Sequence, residues 1–241
     1  MGRRRFLNLL PDWLRARIGV DHQAILDLIR IAQESTGQGA IVLDAGAGEA
    51  QYRRFFPHAY YIALDFCRGD PSWDYSDLDV IGNLLCIPLA DNVCDVIICT
   101  QVLEHVPEPK LVLKELNRVA RPGGHLFVSV PLWWFQHQKP YDYYRYTSFG
   151  LHYLFEQAGF KVDFIKPIGG YFCFLSVVLQ GLHAHLFPIR GPLWWQWITY
   201  LPRRLTQLVF WTIVPLVLFF LDRIDQNQDF TLGYICHCVK N

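Results

Sequence analysis

The segment Ile41–Glu49 constrains the fold of this chain more than any other part of the sequence. Its sequence, IVLDAGAGE, passes from an apolar β-branched run into a short acidic and glycine-rich turn. Gly46 and Gly48 lack side chains, so the backbone can turn sharply and a ligand can lie against it. A second apolar run ends about twenty positions later at Asp65, which can accept hydrogen bonds from both hydroxyls of a ribose. This pattern predicts the nucleotide-type cofactor site of a doubly wound α/β domain.

The residues around the turn favour S-adenosylmethionine over a dinucleotide. The dinucleotide fingerprint requires a third small residue where this chain has Gln51, which is too large for close packing of a helix on a strand. Asp44 stands just before the turn, where a pyrophosphate would meet a like charge. A cofactor with a cationic amino group and no phosphate suits that carboxylate better. A nicotinamide enzyme stays the alternative.

The motifs from about Ile41 to Phe160 resemble, in order, those of the class I S-adenosylmethionine-dependent methyltransferases, particularly the type 11 group. VLDAGAGEA resembles the first motif, YYIALD the second strand with its ribose-binding acid, and IGNLLCIPLADNVCDVIICTQVLEHV the third and fourth strands. LKELNRVARPGGHLFVSVP resembles the following helix, glycine turn and fifth strand. The resemblance implies an α/β fold with a Rossmann-like, doubly wound, seven-stranded sheet. This sheet is mostly parallel, its last strand is antiparallel, and an apolar helical insert precedes that strand.

The resemblance also implies a cofactor site at the carboxyl ends of the strands, where open α/β sheets bind ligands. Asn83 stands where many members have an Asp that contacts the adenine amino group, and an Asn oxygen can accept the same hydrogen bond. The residues expected to bind the cofactor are Asp44, Gly46, Gly48, Asp65, Asn83, Leu84 and Gln101. No metal ligands are expected.

The loop after the fifth predicted strand, residues 131–147, is the expected substrate-binding segment. Its H-x-x-P-x-D-x-x-R-Y-T arrangement resembles a segment of bacterial members that modify cell-surface glycans or lipids. His137 is the expected general base, because its unperturbed pKa lies near physiological pH. Asp142 either orients His137 or forms a structural ion pair with Arg145. His137, Asp142 and Arg145 are therefore the catalytic candidates, and His105 is expected to be architectural.

Apolar and turn patterns predict the order of the secondary structure. Strands are expected near 41–44, 60–65, 79–82, 95–101, 125–130, 160–167 and 230–239, and helices near 21–34, 108–120 and 148–158. The predicted division is a basic and apolar N-terminal segment with a helix (1–40), a methyltransferase core (41–168), an apolar helical insert (169–228) and a final strand of the core sheet (229–241).

The insert contains two apolar stretches, and Leu205–Leu221 has no charged side chain. A helix of that length reaches ~26 Å, short of the ~30 Å hydrocarbon core of a bilayer. Pro215 is expected to interrupt it. Because the strands on both sides of the insert belong to one sheet, the insert must cross a bilayer twice or not at all.

Three interpretations of the insert stay open: a lid over a lipid-like substrate, a membrane-interface element, or a homodimer contact. A Trp-rich segment (194–200) followed by Arg203 and Arg204 is typical of a membrane-interface belt beside cationic anchors. The opening segment, Gly2–Leu10, has the same basic and apolar character. The protein is expected in the cytoplasm, with peripheral contact at the inner face of the membrane as the open alternative.

Composition restricts the partners. The formal net charge is zero, so no global basic field recruits nucleic acid. The seven cysteines form no CxxC pair, which indicates reduced thiols in a cytosolic protein. Cys236-His237-Cys238 is unsuited to one metal ion, because adjacent strand residues point to opposite faces.

The sequence thus predicts methyl transfer from S-adenosylmethionine to an oxygen of a glycan- or lipid-linked small acceptor. A quinone or lipid C- or O-methyltransferase and a catalytically inactive S-adenosylmethionine-binding module are the alternatives.

Overall fold

The computed structural model describes residues 10–186 and 192–241 of the chain, so nearly all of the opening basic segment lies outside the described residues. The strands are β1 (Ile41–Ala45), β2 (Tyr60–Asp65), β3 (Val80–Ile81), β4 (Cys94–Thr100), β5 (Ala120–Pro131), β6 (Phe160–Pro167) and β7 (Gly233–Lys240). The α-helices are α1 (Asp12–Ile18), α2 (Val20–Glu34), α3 (Pro109–Val119), α4 (Ser148–Gln157), α5 (Tyr171–Leu186), α6 (Leu193–Leu208) and α7 (Val214–Leu221).

The strands form one seven-stranded sheet in the order β3-β2-β1-β4-β5-β7-β6. β1 pairs in parallel with β2 and β4, whereas β7 runs antiparallel to β5. The predicted Rossmann-like fold and its antiparallel last strand are confirmed. The last strand begins at Gly233 rather than at Phe230. The hydroxyl of Thr231 and the amide of Leu232 instead donate hydrogen bonds to the carbonyl of Ile168.

Burial explains the central strands and the crossover helix. β1 and β4 carry almost continuous apolar runs, as strands covered on both faces require. α3 turns Val112, Leu113, Leu116 and Val119 into the core, whereas Leu111 is exposed. Thr147 caps the N-terminus of α4, since its hydroxyl accepts a hydrogen bond of 3.1 Å from the amide of Gly150.

The chain forms two compact units. One comprises Met1–Gln23 and Pro167–Leu232, and the other comprises Ala24–Lys166 and Gly233–Asn241. The second unit, here called the sheet unit, contains the seven-stranded sheet. The first unit, here called the helical unit, contains α1 and α5 to α7. The predicted domain limits at 41, 169 and 229 stay a prediction.

In the helical unit, the predicted break at Pro215 is wrong. α6 and α7 continue into each other through a π-helical turn at Val209–Ile213, and Pro215 falls in the first turn of α7. Proline cannot donate an α-helical hydrogen bond, and it is accommodated where the hydrogen bonding changes to the π-helical pattern, in which the Val214 amide donates to the Val209 carbonyl. Trp194–Ile224 is a helical stretch of 31 residues that contains an 18-residue window with a mean hydropathy of 1.9, so it is long and apolar enough to cross a membrane. The helix is therefore longer than the segment Leu205–Leu221 from which its length was predicted.

Candidate active site

The turn after β1 needs glycine at two positions. Gly46 has φ +84°, and a Cβ built on it would lie 2.4 Å from Cγ2 of Val102. Gly48 has φ +55°, and its Cβ would lie 3.2 Å from the ring of Trp73. L-residues rarely adopt these backbone angles. The turn is therefore closed by side chains from two other loops, one after β4 and one after β2.

Asp65 is held at the end of β2 by backbone amides of this region. Oδ2 accepts a hydrogen bond of 2.9 Å from the amide of Gly48, and Oδ1 accepts one of 2.7 Å from the amide of Cys67. Each carboxylate oxygen retains a second lone pair that can accept from a ligand hydroxyl. The structure thus brings Gly48 and Asp65 into direct contact, as a shared site requires.

Asp44 is the least satisfied polar group of this region. The Tyr61 hydroxyl donates a hydrogen bond to Oδ2, while Oδ1 is buried and has no hydrogen-bond partner among the described residues. Burial raises the pKa of the Asp44 carboxyl to about 7, and the hydrogen bond from Tyr61 opposes that rise. A ligand ammonium would satisfy Oδ1, so the residues present fit a cofactor with a cationic amino group.

The other predicted cofactor residues are less closely connected to this turn. Asn83 and Leu84 follow β3, the edge strand of the sheet, where the Asn83 side-chain oxygen accepts from the amide of Leu85 at 3.0 Å. Gln101 follows β4 with φ +55°, and its side-chain amide donates to the Ser129 hydroxyl at 3.2 Å. Asn83 and Gln101 therefore stabilise the chain at strand ends, and their contact with a cofactor stays a prediction.

In the loop after β5, Asp142 is paired with Arg145. Its oxygens accept bidentate hydrogen bonds of 2.7 and 2.9 Å from the guanidinium of Arg145, which lowers the pKa of Asp142 to about 2. Oδ2 also accepts from the backbone amide of His137 at 3.0 Å, whereas it lies 3.8 Å from Nδ1 of that imidazole. Asp142 thus fixes the loop backbone, and the carbonyl of Phe135 holds the His137 ring instead, at 3.0 Å.

His137 lies beside His105 and Glu104, two residues of the loop after β4 that were not predicted to be functional. Its Nε2 lies 3.1 Å from Nε2 of His105, and the two rings cross nearly at right angles. Glu104 is fully buried beside them, and burial raises the pKa of its carboxyl to about 8. Neither carboxylate oxygen has a hydrogen-bond partner among the described residues. The sequence signal for this cluster was the adjacent Glu and His residues after β4.

Sequence reasoning also missed Tyr61 and Trp73. Tyr61 lies in β2, where the sequence does not distinguish it from any other aromatic residue of a strand. Its contact with Asp44 depends on the register of β1 against β2. Trp73 belongs to the loop between β2 and β3, which has no periodicity to interpret. Both side chains close the turn after β1.

Comparisons with known proteins agree with this geometry. Residues 43–128 match the family model of the type 11 methyltransferase domain. A protein named as an uncharacterized methyltransferase of Mycobacteroides abscessus is 31% identical over 145 residues, which cover 54% of each chain. Another with the same name, from Mycobacterium sp. (strain KMS), is 30% identical over 135 residues, covering 54% of this chain and 51% of its own. This chain therefore spans about half the length of the curated relatives it matches.

Solved structures share the fold at low sequence identity. The 1,6-didemethyltoxoflavin-N1-methyltransferase of Burkholderia thailandensis, solved with S-adenosylhomocysteine, superposes with a TM-score of 0.51 and 15% identity, covering 92% of this chain and 83% of its own. The [4+2]-cyclase SpnF superposes with a TM-score of 0.55 and 18% identity, covering 90% and 82%. These two proteins differ in named chemistry, so the likeness establishes the fold alone.

Proposed function

We propose that this chain is a class I S-adenosylmethionine-dependent methyltransferase and that it transfers a methyl group from that cofactor to an oxygen of a glycan- or lipid-linked small acceptor. The observation that carries the proposal is the unpartnered, buried Oδ1 of Asp44 beside a turn that admits no side chain at Gly46. A buried carboxyl group without a partner costs free energy, and an ammonium group on a ligand would remove that cost.

The cofactor supplies a methyl group on a sulfonium, and the task of the protein is chiefly alignment. Asp44 would hold the amino group, Asp65 would accept hydrogen bonds from the ribose hydroxyls, and the glycine turn would lie against the ligand. Asn83, Leu84 and Gln101 are proposed to line the rest of the site. Each assignment rests on the position of these residues at the carboxyl edge of the sheet.

Calorimetric titration with S-adenosylhomocysteine tests the cofactor site. Asp65→Ala should weaken binding at least about tenfold, because two hydrogen bonds to a charged acceptor are lost. Asp77→Ala is the matched control, since Asp77 is an exposed carboxylate in the loop that follows β2. Unchanged affinity in Asp65→Ala would contradict the ribose assignment, and no binding by the unsubstituted protein would contradict the proposed function.

The acceptor is proposed to bind at the loop after β5. Trp133, Phe135, Tyr143 and Tyr144 are all exposed there, and flat aromatic faces suit the apolar faces of sugar rings. The Glu104–His105–His137 cluster is formed by this loop and the loop after β4, and it is proposed to activate the acceptor hydroxyl. Asp142 and Arg145 position His137 by fixing its backbone.

Turnover to S-adenosylhomocysteine tests this role and separates an enzyme from an inactive binding module. Lipid-linked glycans and quinones are offered in parallel with labelled S-adenosylmethionine. His137→Ala should lower turnover by ~10²-fold with cofactor affinity intact, whereas His152→Ala, an exposed histidine of α4, should leave turnover unchanged. Full activity of His137→Ala would place the base elsewhere, and methylation of quinones alone would select the alternative acceptor class.

The helical unit is proposed to contact the inner face of the membrane. Trp197, Ile198 and Leu201 are each more than 60% exposed, and the guanidinium of Arg204 lies over the ring of Tyr200 at 5.3 Å. An exposed apolar face beside cations suits an anionic bilayer surface. Replacing these three apolar residues with Ser should abolish co-sedimentation with anionic liposomes, whereas Phe149→Ser, an equally exposed residue of the sheet unit, should not. A dimer in solution that these substitutions dissociate, without liposome binding, would favour the homodimer contact instead.

A further inference from the structure

The imidazoles of His105 and His137 are each held in one tautomer, and in these tautomers neither Nε2 atom can donate a hydrogen bond to the other. Nδ1 of His105 lies 2.5 Å from the carbonyl oxygen of Tyr141, and Nδ1 of His137 lies 3.0 Å from that of Phe135. A carbonyl oxygen only accepts, so both Nδ1 atoms carry the proton. With these tautomers the Nε2 atoms are left as the lone-pair positions of the two rings, and they lie 3.1 Å apart. A cation between them would bond to both lone pairs.

A second histidine pair in the same sheet shows how such a contact is satisfied without a cation. Nδ1 of His237 lies 2.9 Å from a carboxylate oxygen of Asp163, and Nε2 of His237 lies 3.0 Å from Nδ1 of His125. Here His237 donates to the carboxylate, and His125 can donate to the remaining lone pair of His237. The pair of His105 and His137 lacks this donor, because both Nδ1–H groups are already used.

Glu104 adds the carboxyl group of a third residue at the same point. Its side chain is fully buried, and neither oxygen has a hydrogen-bond partner among the described residues. Oε1 lies 3.7 Å from Nε2 of His105, and one ligand atom from each of the three residues lies within 4.8 Å of the other two. A proton shared by the imidazoles would leave the carboxylate unsatisfied, whereas a metal ion takes a bond from all three groups.

The spacing of the nitrogens agrees with coordination. Two imidazole nitrogens at about 2.0–2.1 Å from one Zn²⁺ ion, at a tetrahedral angle, are about 3.3 Å apart, close to the 3.1 Å between these Nε2 atoms. Histidines that bind metals almost always donate their other ring N–H to a carbonyl or carboxylate, which fixes the tautomer. Both histidines here do so before any ion is present.

The fold holds the three groups in place. β4 and β5 are parallel neighbours, so the loops after them emerge at one edge of the sheet. The loop after β5 is tied to the loop after β4 by a hydrogen bond of 2.8 Å from the Tyr143 amide to the Glu104 carbonyl and one of 2.7 Å from the Tyr146 hydroxyl to the Leu103 carbonyl. Such a rigid surrounding keeps the ligands close to their bound positions.

We propose that Nε2 of His105, Nε2 of His137 and a carboxylate oxygen of Glu104 bind one divalent transition-metal cation. Two imidazoles and one carboxylate suit Zn²⁺, Mn²⁺, Fe²⁺ and Co²⁺, and three protein ligands leave at least one coordination position open. That position would take a hydroxyl oxygen of the acceptor, which coordination would make more acidic, and the released proton would pass to bulk water, because the two Nε2 atoms and the carboxylate would then serve as ligands. This use of the ion rests on the proposed methyl transfer to oxygen, whereas the binding of the ion does not.

Titration of the chelator-treated, full-length protein with Co²⁺ tests the site by its visible d–d absorption. One equivalent should bind, and His137→Ala and Glu104→Gln should each weaken binding at least about tenfold. His125→Ala is the matched control, because it removes a histidine of the other pair and should leave Co²⁺ affinity unchanged. Binding of S-adenosylhomocysteine with unsubstituted affinity verifies that each variant is folded. Absence of a Co²⁺ spectrum, or equal affinity in all three variants, would overturn the site.

Activity assays separate the site from its use. Co²⁺ bound by one equivalent without methyl transfer to any acceptor would overturn the proposed function and leave the metal site standing. Methyl transfer at full rate in the presence of excess chelator would overturn the role of the ion in holding the acceptor. Transfer that chelation abolishes, and that added Mn²⁺, Zn²⁺ or Co²⁺ restores, supports both.

Discussion

The turn after β1 and the loop after β4 each bury a carboxyl group whose pKa is raised by burial, to about 7 at Asp44 and to about 8 at Glu104. Their surroundings differ. Asp44 has one hydroxyl donor, from Tyr61, and adjoins the glycine turn after β1. Glu104 has no hydrogen-bond donor among the described residues and adjoins two imidazole lone pairs.

The difference indicates two kinds of cation. An unpaired carboxylate oxygen beside a bare backbone suits an organic ammonium, which needs room and hydrogen-bond acceptors. A carboxylate beside two imidazole nitrogens suits a metal ion, which needs lone pairs at short distances. Two buried carboxyl groups with similar pKa shifts thus predict different ligands, and the neighbouring donor atoms decide which.

Substitution of one carboxylate should therefore weaken the binding of one ligand, and substitution of the other carboxylate should weaken the binding of the other ligand. This is the largest effect we expect. Asp44→Asn should weaken S-adenosylhomocysteine binding by about 10²-fold and leave Co²⁺ affinity unchanged, because a charged hydrogen bond is lost at one site only. Glu104→Gln should do the reverse. Calorimetry and Co²⁺ absorption on the same preparations measure both. Parallel losses in one variant would show that the two regions form a single site.

The steric design of the turn after β1 gives the next largest effect. Gly46→Ala places a methyl group against Val102, which belongs to the loop after β4, so it should both lower the melting temperature and weaken S-adenosylhomocysteine binding at least about tenfold. Gly39→Ala is the control for backbone strain alone. Gly39 has a similar φ of +73° with nothing within 4 Å of the added Cβ, so its cost should be only about 1 kcal/mol.

Adding Val102→Ala to Gly46→Ala should restore part of the loss, because it removes the clashing methyl groups. Failure of this double variant to recover, with Gly39→Ala equally damaged, would assign the effect of Gly46→Ala to backbone strain and not to the contact between the two loops.

The sheet and the cofactor turn could be predicted because their signals are local. The apolar runs of β1, β2 and β4 and the spacing from Gly48 to Asp65 lie in short stretches of sequence. The ligand environment of Glu104 depends on hydrogen bonds from two loops to ring nitrogens, which no periodicity reports. Pro215 failed as a helix breaker because a π-helical turn precedes it and leaves it in the first turn of α7. That rearrangement is set by the hydrogen-bond pattern and not by composition.

The stability of the ligand-free protein should depend on pH through the carboxyl group of Asp44. Its folded-state pKa of about 7 lies above the ordinary value of 3.8, so the folded state binds the proton more tightly and stability falls as pH rises from about 4 to about 7. Asn carries no charge and can still accept from Tyr61. Ligand-free Asp44→Asn should therefore melt about 5 °C above the unsubstituted protein at pH 8 and at nearly the same temperature at pH 4. A lower melting temperature at pH 8 would mean that the carboxyl group is not a source of strain.

The ion pair that fixes His137 should give the smallest effect. The pKa of Asp142 is lowered to about 2 by Arg145, so the pair stabilises the folded state above the unfolded-state pKa of about 4, and this contribution is lost as pH falls through about 2. Arg145→Gln should lower the melting temperature by about 2–4 °C at pH 7, since Arg145 is partly exposed and screened. The difference should shrink steadily toward pH 2. Because Asp142 also accepts from the amide of His137, the same variant should weaken Co²⁺ binding slightly while S-adenosylhomocysteine affinity stays constant. An equal loss of affinity for Co²⁺ and for S-adenosylhomocysteine would show that this loop supports the cofactor turn as well as the histidine cluster.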